Sequence, residues 1–287
     1  MRVRTLKTLT RLNVKETLLS PGFAVTVSLS AVFGYLVVRG FVFSIDSQGF
    51  NAAQFPLFGN FIATLEGMFG QVVTLRLFAQ GPFLAGAVLS FVPVTFYLAA
   101  SSILKYHLEL DAGAIELVLV GPVDHRSVIA ALVLKDILLL GASVLFLLIF
   151  FFTTAITNNL VLGPGFFLFL GLSLLLGFVV FAWAQLCSVM TGSGIGSLSL
   201  FSLFALLFFL IYAGSFSVIT EELRAFFLTL SHFLQWVSPF FYTGIVMSGI
   251  ETGSWFLAGA GGVAMVMLAT VLLFLATVVG RRGGVVS

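Results

Sequence analysis

Long apolar runs, separated by short polar stretches, dominate this chain. Six runs reach the roughly 20 apolar residues that a membrane-spanning helix needs: 21–44, 81–104, 132–157, 165–190, 197–219 and 255–280. The pattern predicts an all-α polytopic membrane protein in which 1–287 form one transmembrane domain. Two further segments are apolar without being spans. Over 57–79, Asn60, Thr64, Gly67, Gln71 and Thr74 recur at helical spacing, and Phe61, Leu65, Met68, Val72 and Leu75 follow one position later. That predicts one amphipathic helix with a narrow polar stripe. It also carries Glu66 and Arg76, and is expected on the outer surface or leaning into a dimer.

The second is 220–253. Glu221, Glu222 and Arg224 mark a water boundary, then 225–237 and 240–247 are apolar around a break at Ser238-Pro239. Neither arm is long enough to span, so the segment reads as an external re-entrant or interfacial hairpin. At the other end, 1–20 sets basic residues among Val3, Leu6, Leu9, Leu12 and Leu18, an interfacial helix attracted by anionic lipids. Ser20-Pro21 ends it, because the residue before proline disfavours the helical conformation.

Composition makes the solvent a bilayer. The chain is 60% hydrophobic and 8% charged, with a mean hydropathy of +1.19, against about 25% charged in soluble domains. The 34 phenylalanines spread over all the spans, as packing and lipid-facing bulk. The single Cys187 forms no internal disulfide and no metal site. The first apolar run is too long for a signal-peptide core and reads as a retained span. A net charge of +2, with basic residues at membrane edges, gives no nucleic-acid surface.

Ten of the thirteen Lys and Arg residues fall at the N-terminus, the C-terminus or the polar island 105–135. The positive-inside rule then places both termini and the island in the cytoplasm. Arg39, Arg76 and Arg224 lie on the opposite side, with Arg39 close enough to its span end to snorkel. The island is the polar stretch that can meet a partner in water, and 105–131 is its loop.

Candidate chemistry is sparse. His107, His125 and His232 are scattered, and no H-E-x-x-H, G-x-S-x-G or Walker pattern occurs. No catalytic, metal-binding or cofactor-binding residue is expected. The acids Glu109, Asp111, Glu116 and Asp124 read as a solvated helix face. The loop 191–196 (TGSGIG) caps a tight turn and little else. Lys135 reads as an edge anchor, leaving no Asp, Glu or Lys at mid-span. That absence speaks against an ion-driven carrier. Thr26, Ser28, Ser30, Ser197, Ser199 and Ser202 suit close helix packing.

At the island the chain resembles the permease subunits of ABC-2-type transporters. Their coupling segment typically reads E-x-x-x-G-T-L-E-x-L-L-x-x-P-V-S-R. Glu109, Gly113, Ile115, Glu116, Leu117 and Pro122-Val123 match in order and spacing. Ala114 replaces the usual Thr, and Asp124-His125-Arg126 replaces Ser-Arg. Lys15-Glu16 before Ser20-Pro21, Pro93 midway in the second span, and Trp236 to Tyr242 around Pro239 are similar to the family too. The family's Gly-Lys after the proline is absent: Leu132 stands there, and Lys135 lies a turn later.

The resemblance implies six spans, an N-terminal amphipathic helix, a cytoplasmic coupling helix and an external re-entrant hairpin. It implies coupling residues Glu109, Asp111, Gly113, Ile115, Glu116, Leu117 and Pro122, and hairpin residues Trp236, Pro239 and Tyr242. The partners implied are an ABC-type ATPase subunit, a second permease copy (identical or related) and membrane lipids. The chain itself is then a non-catalytic exporter subunit of a bacterial or archaeal cytoplasmic membrane, with ATP hydrolysed on the partner. The alternatives are a mechanotransmitting scaffold subunit without its own substrate, and an ATP-independent carrier.

Overall fold

The computed structural model describes residues 3–46, 49–50, 56–69, 71–78, 81–112, 125–213, 229, 232 and 234–283. Helix α1, Val3–Leu18, stops where Ser20 takes an extended backbone (φ −72°, ψ 133°) ahead of Pro21. The same serine starts α2, Pro21–Phe43: its hydroxyl accepts from the Phe23 N–H at 3.3 Å and donates to the Thr17 carbonyl at 2.7 Å. Proline at the first helical position loses no hydrogen bond. A two-residue antiparallel pairing follows, β1 (Ile45–Asp46) with β2 (Gly49–Phe50).

The 57–79 segment forms two helices, α3 (Pro56–Phe69) and α4 (Gln71–Phe78), not one. In α3 the expected faces hold: Asn60 and Thr64 are exposed and Leu65 is buried. In α4 they are reversed, with Thr74 buried and Leu75 60% exposed. The residue between the helices is Gly70, the type that continues a helix least well short of proline.

Helix α5, Pro82–Asp111, extends seven residues past the expected end of the second span. Helix α6, His125–Thr157, begins seven residues before the expected start of the third. Residues 105–111 and 125–131 of the island are therefore helical. Glu109 and Asp111 lie in the last turns of α5. Gly113, Ile115, Glu116, Leu117 and Pro122 lie outside the described residues. Then come α7 (Pro164–Met190), α8 (Gly194–Ala213), a 3₁₀ turn (Gln235–Val237), α9 (Pro239–Glu251) and α10 (Trp255–Gly283).

Among the described residues five helices are long and apolar enough to cross a membrane: Pro21–Phe43, Pro82–Asp111, Arg126–Thr157, Pro164–Met190 and Trp255–Gly280. The chain is thus all-helical apart from the short pairing, and has the character of an integral membrane protein. Helix α8 covers the described part of the expected fifth span.

Helices α5 and α7 are the most enclosed of these. Close approach comes from small residues, as in membrane helices generally. A Cβ on Gly34 of α2 would lie 2.5 Å from both the Phe151 ring and Ser90 Oγ. Ser90 also donates across the interface to the Ser30 carbonyl at 2.7 Å. Phe83, Phe151 and Phe166 meet edge to face with centroids 5.7–6.2 Å apart. All three are fully buried, so part of the phenylalanine excess forms the helix core itself.

Candidate functional site

The end of the bundle that carries segment 113–124 holds most of the described polar side chains that reach between helices. Lys105 of α5 pairs with Glu16 of α1 and lies 3.6 Å from Glu109 on its own helix. One turn further into α5, Ser102 meets Lys135 and Asp136 of α6. The Ser102 hydroxyl donates to Asp136 Oδ2 at 2.5 Å and accepts from Lys135 Nζ at 2.7 Å. Lys135 Nζ also lies 2.9 Å from Asp136 Oδ1. That contact is an ion pair off the hydrogen-bonding directions, so Oδ1 has no hydrogen bond.

Both charged side chains are fully buried. Lys135, expected as an edge anchor, is thus enclosed between helices about three turns from the start of α6, and Asp136 beside it is enclosed too. Adjacent helix positions point 100° apart, so an edge assignment would expose at least one of them. Here α1 and α5 both pack on α6, and Ser102 of α5 meets both charges. The buried face of α1 is polar: Thr10, Asn13 and Thr17 are buried at helical spacing, whereas Leu12 and Leu18 point outward at 61% and 52% exposure. Lys7, Arg11 and Lys15 form an exposed basic stripe beside those leucines.

The α7–α8 turn does more than cap. Ser193 starts α8 by accepting from the Gly196 N–H at 3.2 Å. One turn on, Ser197 is buried and 2.7 Å from Nε2 of His107 on α5. Thr191 Oγ1 lies 2.5 Å from the same serine hydroxyl. A Cβ on Gly194 would be 3.4 Å from the His107 Cβ, so the turn sits directly on that histidine. Sequence reasoning missed this cluster, since His107 and Ser197 are 90 residues apart. The serines of the first turn of α8 were the available signal.

The hairpin holds the other candidate residues. Ser238 and Pro239 begin α9, as the break predicted. Tyr242 donates to the Trp236 carbonyl at 2.7 Å, closing the bend onto the helix. Trp183 of α7 donates from Nε1 to the Val237 carbonyl at 3.2 Å, and its ring lies tilted against Phe204 and Phe208 of α8 with centroids 4.9 and 5.4 Å away. Trp183 lies more than five turns from the start of α7 at Pro164, ~28 Å along the axis. The bend therefore reaches deep along the bundle.

Helix α9 returns antiparallel to α10. A Cβ on Gly249 would be 2.4 Å from the Ala258 nitrogen, and one on Gly261 would be 2.7 Å from Val246. Gly253 (φ +70°) closes α9: its N–H reaches the Ile250 carbonyl, and the Ser254 N–H reaches Gly249 at 2.7 Å. This paired closure is a Schellman motif, which glycine fits best. An open apolar groove of about 400 Å³ lies along the hairpin, lined by Phe240, Phe241, Gly244, Ile245, Ser248 and Leu257.

Among the described residues no group of His, Cys, Asp and Glu is placed to hold a metal ion. Gln185, fully buried on α7, has neither amide atom hydrogen-bonded. Neither a family profile nor a curated protein matches this chain.

Proposed function

We propose that this chain is the permease subunit of an ABC-2-type transporter, working as a dimer with a separate ATPase. The observation that carries the reading is the deep hairpin at one end, set against tied helix ends at the other. A re-entrant segment is tolerated at membrane depth where protein buries it or a cavity borders it. Trp183 and α10 provide that burial, and the apolar groove borders α9.

Helix α8, at 20 residues, is ~30 Å long, about the hydrocarbon thickness. Counting it gives six spans and puts both termini on one side, in the cytoplasm by the distribution of basic residues. Trp255 and Phe256, about 80% exposed at the start of α10, suit the opposite interface, where aromatic residues concentrate.

In this reading the ATPase grips segment 113–124, through Gly113, Ile115, Glu116, Leu117 and Pro122. Glu109 and Asp111 stand beside it on α5. The Ser102–Lys135–Asp136 cluster fastens α5 to α6, so the two spans flanking the grip move as one body. Lys105 and Glu16 bring α1 along. Closure of the ATPases changes which permease state is favoured, by gripping one arrangement better than the other. The cargo that suits the groove is hydrophobic or amphipathic, and its direction is outward by the resemblance.

The test is ATP hydrolysis by the chain reconstituted with its co-purified ATPase. Hydrolysis that depends on this chain and is lost in Glu116→Lys supports the reading; independence from the chain overturns it. One observation favours a second reading, an ATP-independent carrier. The enclosed Lys135–Asp136 pair is the kind of intramembrane charge that ion-coupled carriers use. Uptake or efflux driven by an ion gradient in vesicles lacking any ATPase would select it.

A further inference from the structure

Two separate contacts fasten α8, one at its first turn and one past its middle. At its first turn, Ser197 holds His107 at 2.7 Å, and Thr191 braces the serine at 2.5 Å. His107 lies just over one turn before the end of α5 at Asp111, the last helical residue before segment 113–124. About two to three turns further along α8, Phe204 and Phe208 pack their rings, tilted, against Trp183. The Trp183 N–H in turn holds the Val237 carbonyl at the bend of the hairpin. Phe96 and Phe201, with centroids 5.7 Å apart, add a contact between α5 and α8 midway.

We propose that α8 is a connecting rod: His107–Ser197–Thr191 fastens it to the lever, and Phe204–Phe208–Trp183 fastens it to the hairpin. Motion of the α5 end is then delivered to the hairpin bend, and so to the mouth of the apolar groove. The proposal rests on the coupling reading above and adds the route within this chain. His107 and Trp183 are positioning residues, acting through their neighbours.

The chemistry suits a rigid joint. His107 and Ser197 are both buried, so parting them leaves the imidazole Nε2 without water to replace the bond. Trp183 is 9% exposed, and its N–H is the kind of buried donor that finds a partner. Packed side chains and hydrogen bonds transmit displacement when they have discrete arrangements, and two such fastenings in series give one contiguous path.

The experiment uses the complex with its ATPase in lipid nanodiscs. Spin labels go on Leu108, Ser248 and Val161 in a Cys187→Ala background. Leu108 reports the lever, Ser248 the hairpin, and Val161, 85% exposed between α6 and α7, serves as reference. In the parent complex, trapping ATP shifts both the Leu108–Val161 and the Ser248–Val161 distances. In His107→Ala and in Trp183→Phe the Leu108 shift persists, and the Ser248 shift falls by about threefold or more. His107→Gln, which restores a donor or acceptor to Ser197, recovers it.

A full Ser248 shift in both His107→Ala and Trp183→Phe overturns the rod and leaves the coupling reading standing. A Leu108 label that does not move in the parent complex overturns the coupling reading, and the rod with it. Ser197→Ala, which removes the other side of the first joint, must match His107→Ala. A hairpin that still follows the lever in Ser197→Ala overturns the first joint.

Discussion

Lys135 and Asp136 are consecutive residues on α6, and both side chains are fully buried with Ser102 of α5 bonded to each. Two charges at adjacent positions can both be enclosed only where neighbouring helices cover a wide face. The pair is therefore a fastening between helices and not a property of one helix surface. Its effect on stability is asymmetric, because losing one partner strands the other charge in a dry site.

Asp136→Ala is expected to lower stability by about 3–5 kcal/mol, the usual cost of stranding a buried charge. The paired replacement Lys135→Met with Asp136→Leu is expected to recover most of that loss, since no charge is then buried. Thermal unfolding in detergent reads both. Equal stability of Asp136→Ala and the parent chain would show that the site is wet.

Lys105 offers the contrast within the same helix. Its partner Glu16 has a side chain 66% exposed, where water screens the pair. Glu16→Ala is expected to change stability by less than about 1 kcal/mol. Its effect is expected instead on the α1 attachment, read as faster protease cleavage between α1 and α2. Unchanged cleavage would mean that the polar face of α1 holds it without this bridge.

The hairpin makes a steric prediction with a built-in control. Gly249→Val places atoms where the backbone of Ala258 already lies, and is expected to cost about 1–3 kcal/mol or to part α9 from α10. A Cβ at Gly244 meets nothing within 4 Å. Gly244→Ala is therefore expected to be neutral or to stabilise by up to about 1 kcal/mol through helix propensity. Thermal unfolding of the two variants side by side separates packing from propensity.

Segment 113–124 carries the functional prediction. Glu116→Lys, or a bulky residue at Gly113, is expected to abolish ATPase stimulation while the chain remains inserted and folded. Partner binding and hydrolysis rate are the readouts. Parent-level values for both variants would remove the grip from this segment.

The apolar runs were legible because a bilayer demands them: five of the six expected runs fall on long apolar helices, and α8 covers the described part of the other. The bend at Ser238-Pro239 was legible too, since proline forces it. Helix ends at the polar island were not. Charge was read as the end of a span, whereas α5 continues through Lys105 to Asp111 because a helix can run out into water without breaking. The amphipathic stripe over 57–79 misled in the same way: its periodicity runs across two helices whose buried faces differ.

Long-range polar contacts were beyond reach. Nothing local to Ser197 indicates His107, and nothing local to Trp183 indicates the Val237 carbonyl, 54 residues away. Lys135 was the instructive case. A lysine near a span end reads as an anchor until a neighbouring serine and a covering helix show otherwise.

The central claim is that this chain works with a separate ATPase, and isolation of the tagged chain from its native membranes in mild detergent tests it most directly. The account predicts a stoichiometric ABC-type ATPase in the purified complex, identified by mass spectrometry. A chain that comes down alone, even after cross-linking, would contradict it.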